Sequence, residues 1–262
     1  MTELKITPLP QPFKILLIGD SCVDEYVYGI CTRLNPEAPV PVMDYTRTEL
    51  KPGMAANVYE NLKAFSVQVQ FVTNNEKILK TRYVDDKYNH QILRVDRHEV
   101  LTPLHNDLVL EGYDAIVISD YDKGFISEKK LFQITEVATC PVFIDTKKKV
   151  VPDKANCFIK LNEIEYKNLS FKPLNIITTL GDKGAMYKNI QYPSAKVTVF
   201  DVVGAGDTFL AALTYFYLVL GTIELAIPFA NKASSIAVQH TGTYVLTADD
   251  IEDIKSTNLH PL

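Results

Sequence analysis

The stretch that decides the fold runs Ala115-Ile-Val-Ile-Ser119, then Ser127 to Ala138, then Pro141-Val-Phe-Ile-Asp145. Each outer run is short and continuously apolar, the pattern of a strand covered on both faces in a parallel sheet. The segment between them has helical character, with Ser127 as its N-cap. Strand, helix, strand is the unit that a parallel crossover requires. The same kind of run recurs at Lys14-Ile-Leu-Leu-Ile18, Cys157-Phe-Ile-Lys160 and Asn175-Ile-Ile-Thr-Thr179. The expected fold class is therefore α/β: a three-layer α/β/α sandwich around a mainly parallel central sheet, with ligands gathered at the carboxyl ends of its strands.

Residues 25–50 break this rhythm. Glu25-Tyr-Val-Tyr28 and Val40-Pro-Val-Met-Asp-Tyr45 alternate on either side of a Pro36-Glu-Ala-Pro39 turn. That predicts a small antiparallel β flap outside the main sheet, with residues 81–96 returning to it. No repeat, low-complexity tract or linker marks a boundary, so a single domain over residues 1–262 is expected.

Composition narrows the function classes. With 262 residues, 47% of them hydrophobic, the chain has ample material for a core. The longest apolar run, Phe209 to Leu220, is too short to span a bilayer, and Pro8, Pro10 and Pro12 stand where a signal core would be. A cytoplasmic protein with no membrane partner is expected. Cys22, Cys31, Cys140 and Cys157 lack metal-ligand spacing and read as buried reduced thiols. The net charge of -5 speaks against a broad nucleic-acid surface, and Lys147-Lys148-Lys149 reads as a solvated loop.

The chemistry concentrates at Asp201-Val-Val-Gly-Ala-Gly-Asp-Thr208, which runs straight into the apolar helix beginning at Phe209. Gly204 and Gly206 remove Cβ atoms where the backbone turns, and the first N–H groups of the helix make an anion site. Asp207 is a carboxylate among those donors; it is either a first-turn acid favouring the helix dipole or a base beside a bound phosphoryl group. Asp20 and Asp24 follow the first strand, where paired acids suit sugar hydroxyls or cap a turn. Pro52-Gly53-Met54-Ala55-Ala56-Asn57 opens an apparent helix whose small residues fit close ligand approach or tight packing. Asn162 and Glu165 have capping-box spacing, and Glu165 is equally a candidate for the water shell of a nucleotide-bound Mg²⁺. Thr179-Leu-Gly181-Asp-Lys-Gly184 and Ser119-Asp-Tyr-Asp-Lys-Gly124 are polar turns at strand ends.

In this order, Gly-Asp-x-x-x-Asp, Pro-Gly-x-Ala-Ala-Asn, Asn-x-x-Glu, Thr-x-Gly-x-x-Gly and Asp-x-x-Gly-Ala-Gly-Asp, the motifs resemble those of the ribokinase-like (PfkB) carbohydrate kinases over nearly the whole chain. Arg33-Leu-Asn-Pro-Glu-Ala-Pro-Val-Pro-Val42, Leu93-Arg-Val-Asp96 and Ser119 to Gly124 are most similar to the kinase domain of heptose-7-phosphate kinases. The resemblance implies an ATP- and Mg²⁺-dependent sugar kinase. Asp207 would be the base, and the N–H groups of Ala205, Gly206 and Asp207, after Gly204, the anion hole. Asp24, Gly53 and Asn57 would hold the sugar, while Lys123, Arg82 or Lys80 would meet a phosphate already on it. Asn162, Thr179, Gly181, Gly184 and Asn231 would serve ATP, with Glu165 reaching the metal through water.

The same resemblance implies a homodimer formed through the flap. The adenylyltransferase domain often fused to heptose kinases is not expected in this chain. Met54 stands where the family commonly has a second glycine, and residues 71–80 are shorter than the family's strand, helix and strand. These departures leave the acceptor open: a heptose 7-phosphate, another sugar phosphate, a nucleoside, or a sugar bound by a catalytically weak relative.

Overall fold

The computed structural model describes residues 12–98 and 100–257; the prolines at 8 and 10 lie outside them. Six strands run parallel in the order β10 (Ile176–Thr179), β9 (Cys157–Asn162), β8 (Val142–Thr146), β7 (Ala115–Asp120), β1 (Lys14–Gly19) and β4 (Gln68–Thr73). Two short antiparallel strands, β11 (Ala185–Tyr187) and β12 (Ile190–Tyr192), extend the β10 edge.

Alternation along β1 shows why the runs are apolar throughout. Ile15 and Leu17 enter one core cluster with Val58 and Leu62 of α1 (Ala55–Ala64) and with much of α4 (Ala205–Leu220), α5 (Ile223–Ala237) and α6 (Ala248–Lys255). Leu16 and Ile18 enter a second cluster with Leu131 and Ile134 of α2 (Glu128–Val137), against which Tyr166 of α3 (Glu163–Asn168) also packs. Helices on both faces of a parallel sheet make three layers, as the strand runs imply. Ser127 caps α2 as its sequence predicts, accepting a hydrogen bond from the Lys130 N–H. No helix among the described residues is long and apolar enough to cross a membrane.

A second sheet of four strands stands outside the first, in the order β3 (Pro41–Met54), β2 (Ser21–Leu34), β5 (Ile78–Asp85) and β6 (His90–His98). Its outer pairs are antiparallel, and β2 meets β5 in parallel. Only Asp20 separates β1 from β2, so the flap grows directly from the carboxyl end of a central strand. The short segment after Phe71 has a visible consequence: β4 ends the main sheet, and residues 74–77 cross straight to β5 in the flap.

The helix expected to open at Pro52 opens at Ala55, and residues 52–54 finish β3 instead. Met54 sits at the junction with φ 58°, a left-handed conformation that glycine adopts freely and a side chain resists. It is held there by burial. Its side chain is 2% exposed, within the cluster that contains Leu16, Ile18, Cys22 and Ile78. The cysteines also divide: Cys22 and Cys157 are buried free thiols, whereas Cys31 and Cys140 are half-exposed.

Candidate active site

The carboxyl ends of β1, β7, β8, β9 and β10 lie along one edge of the main sheet, and the N-terminus of α4 meets that edge beneath the flap. Gly204 caps α4 with φ 78°, and a Cβ there would come 2.7 Å from the Asn57 amide nitrogen. Gly206 is needed for a different reason from the turn that its sequence suggested. Its φ is ordinary, but a Cβ would lie 2.7 Å from the Lys160 ammonium, which is tucked under the first turn. The Ala205 N–H is already committed to the Val202 carbonyl at 3.3 Å, so the anion hole loses one of its three expected donors. The N–H groups of Gly206 and Asp207 have no acceptor among the described residues, as first-turn donors of a helix commonly do not.

Asp207 is 2% exposed and held from two sides. The Tyr121 hydroxyl donates to its Oδ1 at 2.6 Å, and the Asn57 amide donates to its Oδ2 at 3.1 Å. The orientation of Asn57 is itself fixed by a relay. The Leu246 N–H donates to Asn61 Oδ1, which turns the Asn61 amide toward Asn57 Oδ1 and leaves the Asn57 amide facing Asp207. Burial pushes the Asp207 carboxyl up to about 6, against the two hydrogen bonds, which favour the charged form. Asp145 raises it further, and Lys160 lowers it.

Lys160 and Asp145 are a pair that the sequence reading missed. The ammonium meets Asp145 Oδ2 at 2.6 Å with both side chains 5% exposed, and Asp145 Oδ1 is buried without a partner. The two residues are register partners on adjacent parallel strands. Each also closes an apolar run, and a charged residue in that position on neighbouring strands was the available signal. Of the run 147–149, Lys147 and Lys149 are exposed, as a solvated loop requires, but two of its lysines are engaged. Lys147 pairs with Glu165, and Lys148, largely buried, pairs with Asp120 and Asp122.

On the flap side, Asp24 is buried and Gly53 is required beside it: a Cβ at residue 53 would stand 2.2 Å from Asp24 Oδ2. The Arg82 guanidinium, also buried, donates to Asp24 Oδ1 at 3.0 Å. Arg82, expected to meet a phosphate, is paired with Asp24 in this structure. Lys123 is exposed, and its backbone N–H, with that of Tyr121, binds Asp20 Oδ2. Asp20 thus ties down the loop after β7, one of its two expected roles. Lys80 is the flap cation that does turn inward, with its ammonium 5.3 Å from the Tyr121 ring centre.

On the other side, Asn162 caps α3 in a full capping box with Glu165. Both carboxylate oxygens of Glu165 are in use, one by the Asn162 N–H and the other by Lys147. Gly181 and Gly184, with φ of 62° and 89°, shape the turn after β10, and Thr179 Oγ1 donates to the Leu161 carbonyl at 3.3 Å. The Asn231 amide is buried and donates to the Tyr192 carbonyl at 2.8 Å, tying α5 to the end of β12. Among the described residues no three His, Cys, Asp or Glu side chains gather to hold a metal. The donor set suits a Mg²⁺ carried in on phosphate oxygens and water; Asp20 Oδ1 and Asp145 Oδ1 are the buried carboxylate oxygens without a partner among the described residues.

Comparison with known proteins places this geometry. Residues 162–250 match the model of the pfkB family carbohydrate kinases. The curated "Bifunctional protein HldE" of Nitratiruptor sp. is 30% identical over 92% of this chain and 64% of its own length. Its namesake in Helicobacter hepaticus is 31% identical over 91% of this chain and 63% of its own length. The chain thus spans somewhat less than two thirds of these relatives. Among solved structures, Thermotoga maritima ribokinase superposes with a TM-score of 0.68 at 14% identity, covering 94% of this chain and all of that one. Arabidopsis thaliana ribokinase, solved with ribose and ATP, gives 0.68 at 15%, covering 95% and 100%. Escherichia coli phosphofructokinase-2, solved with fructose-6-phosphate, gives 0.66 at 16%, covering 93% and 98%. Those similarities show a ribokinase-like fold, and the segment from the end of β9 into α6 is similar to the pfkB family carbohydrate kinases.

Proposed function

We propose that the chain is an ATP-dependent carbohydrate kinase that transfers the γ-phosphoryl group to a hydroxyl of a sugar or sugar phosphate. The observation that carries this reading is Asp207: a buried carboxylate at a helix N-terminus, beside two unpaired N–H groups and oriented by Asn57 and Tyr121. Asp207 takes the proton from the acceptor hydroxyl as that oxygen forms its bond to the γ-phosphorus, while the bond to the bridging oxygen breaks and ADP leaves. The free N–H groups of Gly206 and Asp207, and the Lys160 ammonium below them, face the charge on the transferred group. Asp24, Gly53 and Asn57 hold the acceptor, and Asn162, Thr179, Gly181 and Gly184 border the nucleotide. A bound Mg²⁺ would neutralise phosphate charge, with Asp145 as its protein contact in place of the engaged Glu165.

The finer reading is D-glycero-β-D-manno-heptose 7-phosphate as acceptor, phosphorylated at its anomeric hydroxyl to the 1,7-bisphosphate. Its support is the resemblance carried by residues 33–42, 93–96 and 119–124. A second acceptor class is another sugar phosphate, whose phosphate Lys80, turned inward from the flap, would equally meet. We infer further that two copies pair through the flap, because Leu34, Tyr45, Leu50 and Leu93 are each more than half exposed there.

An ATP-consumption screen over sugars and sugar phosphates tests the function. Turnover on at least one acceptor is expected, reduced by about 100-fold or more in Asp207→Asn, the usual scale for a positioned base. Near-normal turnover in that variant refutes the assignment.

A further inference from the structure

We propose that Tyr121 is a positioning residue that fixes the orientation of the Asp207 carboxylate and sets its strength as a base. The proposal rests on the kinase reading for its consequence and on geometry for its substance. The Tyr121 hydroxyl and the Asn57 amide donate to different oxygens of Asp207, so the plane of the carboxylate is held at both ends. Each oxygen keeps a second lone-pair direction, which is where an acceptor hydroxyl delivers its proton.

Tyr121 is in turn held on three sides. Its backbone N–H is fixed to Asp20 Oδ2 at 2.9 Å. Two ammonium groups stand against its ring, Lys80 from the flap strand β5 at 5.3 Å and Lys147 from the loop after β8 at 5.2 Å. A ring clamped between the flap and the main sheet has little freedom to withdraw its hydroxyl. That hydroxyl also stays protonated, because burial and the charge of Asp207 push the phenol well above its usual range.

The other groups that act on Asp207 come from separate elements: Asp145 of β8, Lys160 of β9, Lys147 beyond β8 and Cys22 of β2. Burial pushes the Cys22 thiol up to about 12, so it carries no charge at working pH. Tyr121 and Asn57 are the direct donors, and Tyr121 has the shorter bond. A hydrogen bond to the charged form lowers a carboxyl pKa, so removing it must raise the pKa and weaken the ionised base at low pH.

The test is Tyr121→Phe, which keeps the ring and deletes the donor. The acid limb of the kcat/KM profile should move to higher pH by roughly one unit, so that activity falls about fivefold more at pH 6 than at pH 8.5. An unmoved limb overturns the proposal, whether turnover is normal or uniformly reduced, because a purely structural role scales all pH values alike. A second readout needs no turnover. The pH-dependent part of the unfolding free energy that Asp207→Asn abolishes should shift upward by the same amount in Tyr121→Phe, and its failure to shift also overturns the proposal. If no acceptor is turned over by the unsubstituted protein while that shift is seen, the kinase reading fails and the Tyr121 contact stands.

Discussion

Replacing Asp207 by asparagine should stabilise this protein at neutral pH, even though it removes the group on which the proposed chemistry depends. The carboxyl is pushed by burial from 3.8 to about 6. A folded-state pKa above the unfolded one means that the neutral form is favoured in the fold. Its contribution is fully present below pH 3.8 and is lost as the pH rises through about 6. A difference of roughly two units corresponds to about 3 kcal/mol of destabilisation once the group is ionised in both states. Asparagine is neutral at every pH and escapes that term. It incurs another: an amide has a single acceptor oxygen, so either the Asn57 amide or the Tyr121 hydroxyl loses its acceptor at residue 207. A buried donor without an acceptor costs about 1–2 kcal/mol. The expected net gain is therefore about 1–2 kcal/mol at pH 7.5, and it should shrink by about 2–3 kcal/mol at pH 4. Urea unfolding of both proteins at the two pH values, with the slopes compared, measures this directly. A difference that stays constant within ~0.5 kcal/mol between pH 4 and 7.5 would mean that the fold does not strain this carboxylate. The argument for Asp207 as a base held near neutral pH would then lose its physical ground.

Two further predictions follow from charges and surfaces. Lys160→Met should destabilise the protein by about 3–5 kcal/mol, because Asp145 would be left buried with neither oxygen paired. Adding Asp145→Asn should recover most of that loss in the same urea titration, and a cost under ~1 kcal/mol for the single variant would contradict the buried pair. Light scattering at working concentrations should report twice the monomer mass, and a monomer there would dispose of pairing through the flap.

The layers of the fold were legible because they follow from period and length. A strand covered on both faces must be apolar at every position, and Ile15 to Ile18 divide strictly between two clusters for that reason. The N-terminus of α4 was legible through Gly204, because a left-handed cap admits few other residues. What stayed hidden depends on register across the sheet or between sheets. Asp24 and Arg82 are 58 residues apart, and nothing local announces that one neutralises the other. Tyr121 lies within a turn that read as polar punctuation, and its bond to Asp207 spans 86 residues. Met54 was visible in the sequence only as a departure from the family's second glycine. The structure turns the side chain into the core and places the consequence in the backbone, at φ 58°.

That contrast bears on where specificity resides. The proton-accepting end of the site is held closely: Asn61, Asn57 and Tyr121 fix the Asp207 carboxylate through a chain of hydrogen bonds, and the buried Lys160–Asp145 pair stands beside it. The acceptor end is built differently, from the flap, whose buried cation is already paired and whose β2 follows β1 after a single residue. A sugar entering there must either join the Asp24–Arg82 pair or displace it. Joining suits an acceptor whose hydroxyls share Asp24 and whose phosphate meets Lys80. Displacement would strand a buried guanidinium, which is strongly unfavourable. On the proposed reading, the acceptor would be selected by how well it completes a pair that the flap has already formed, while the transfer chemistry would be set by residues that the acceptor does not rearrange.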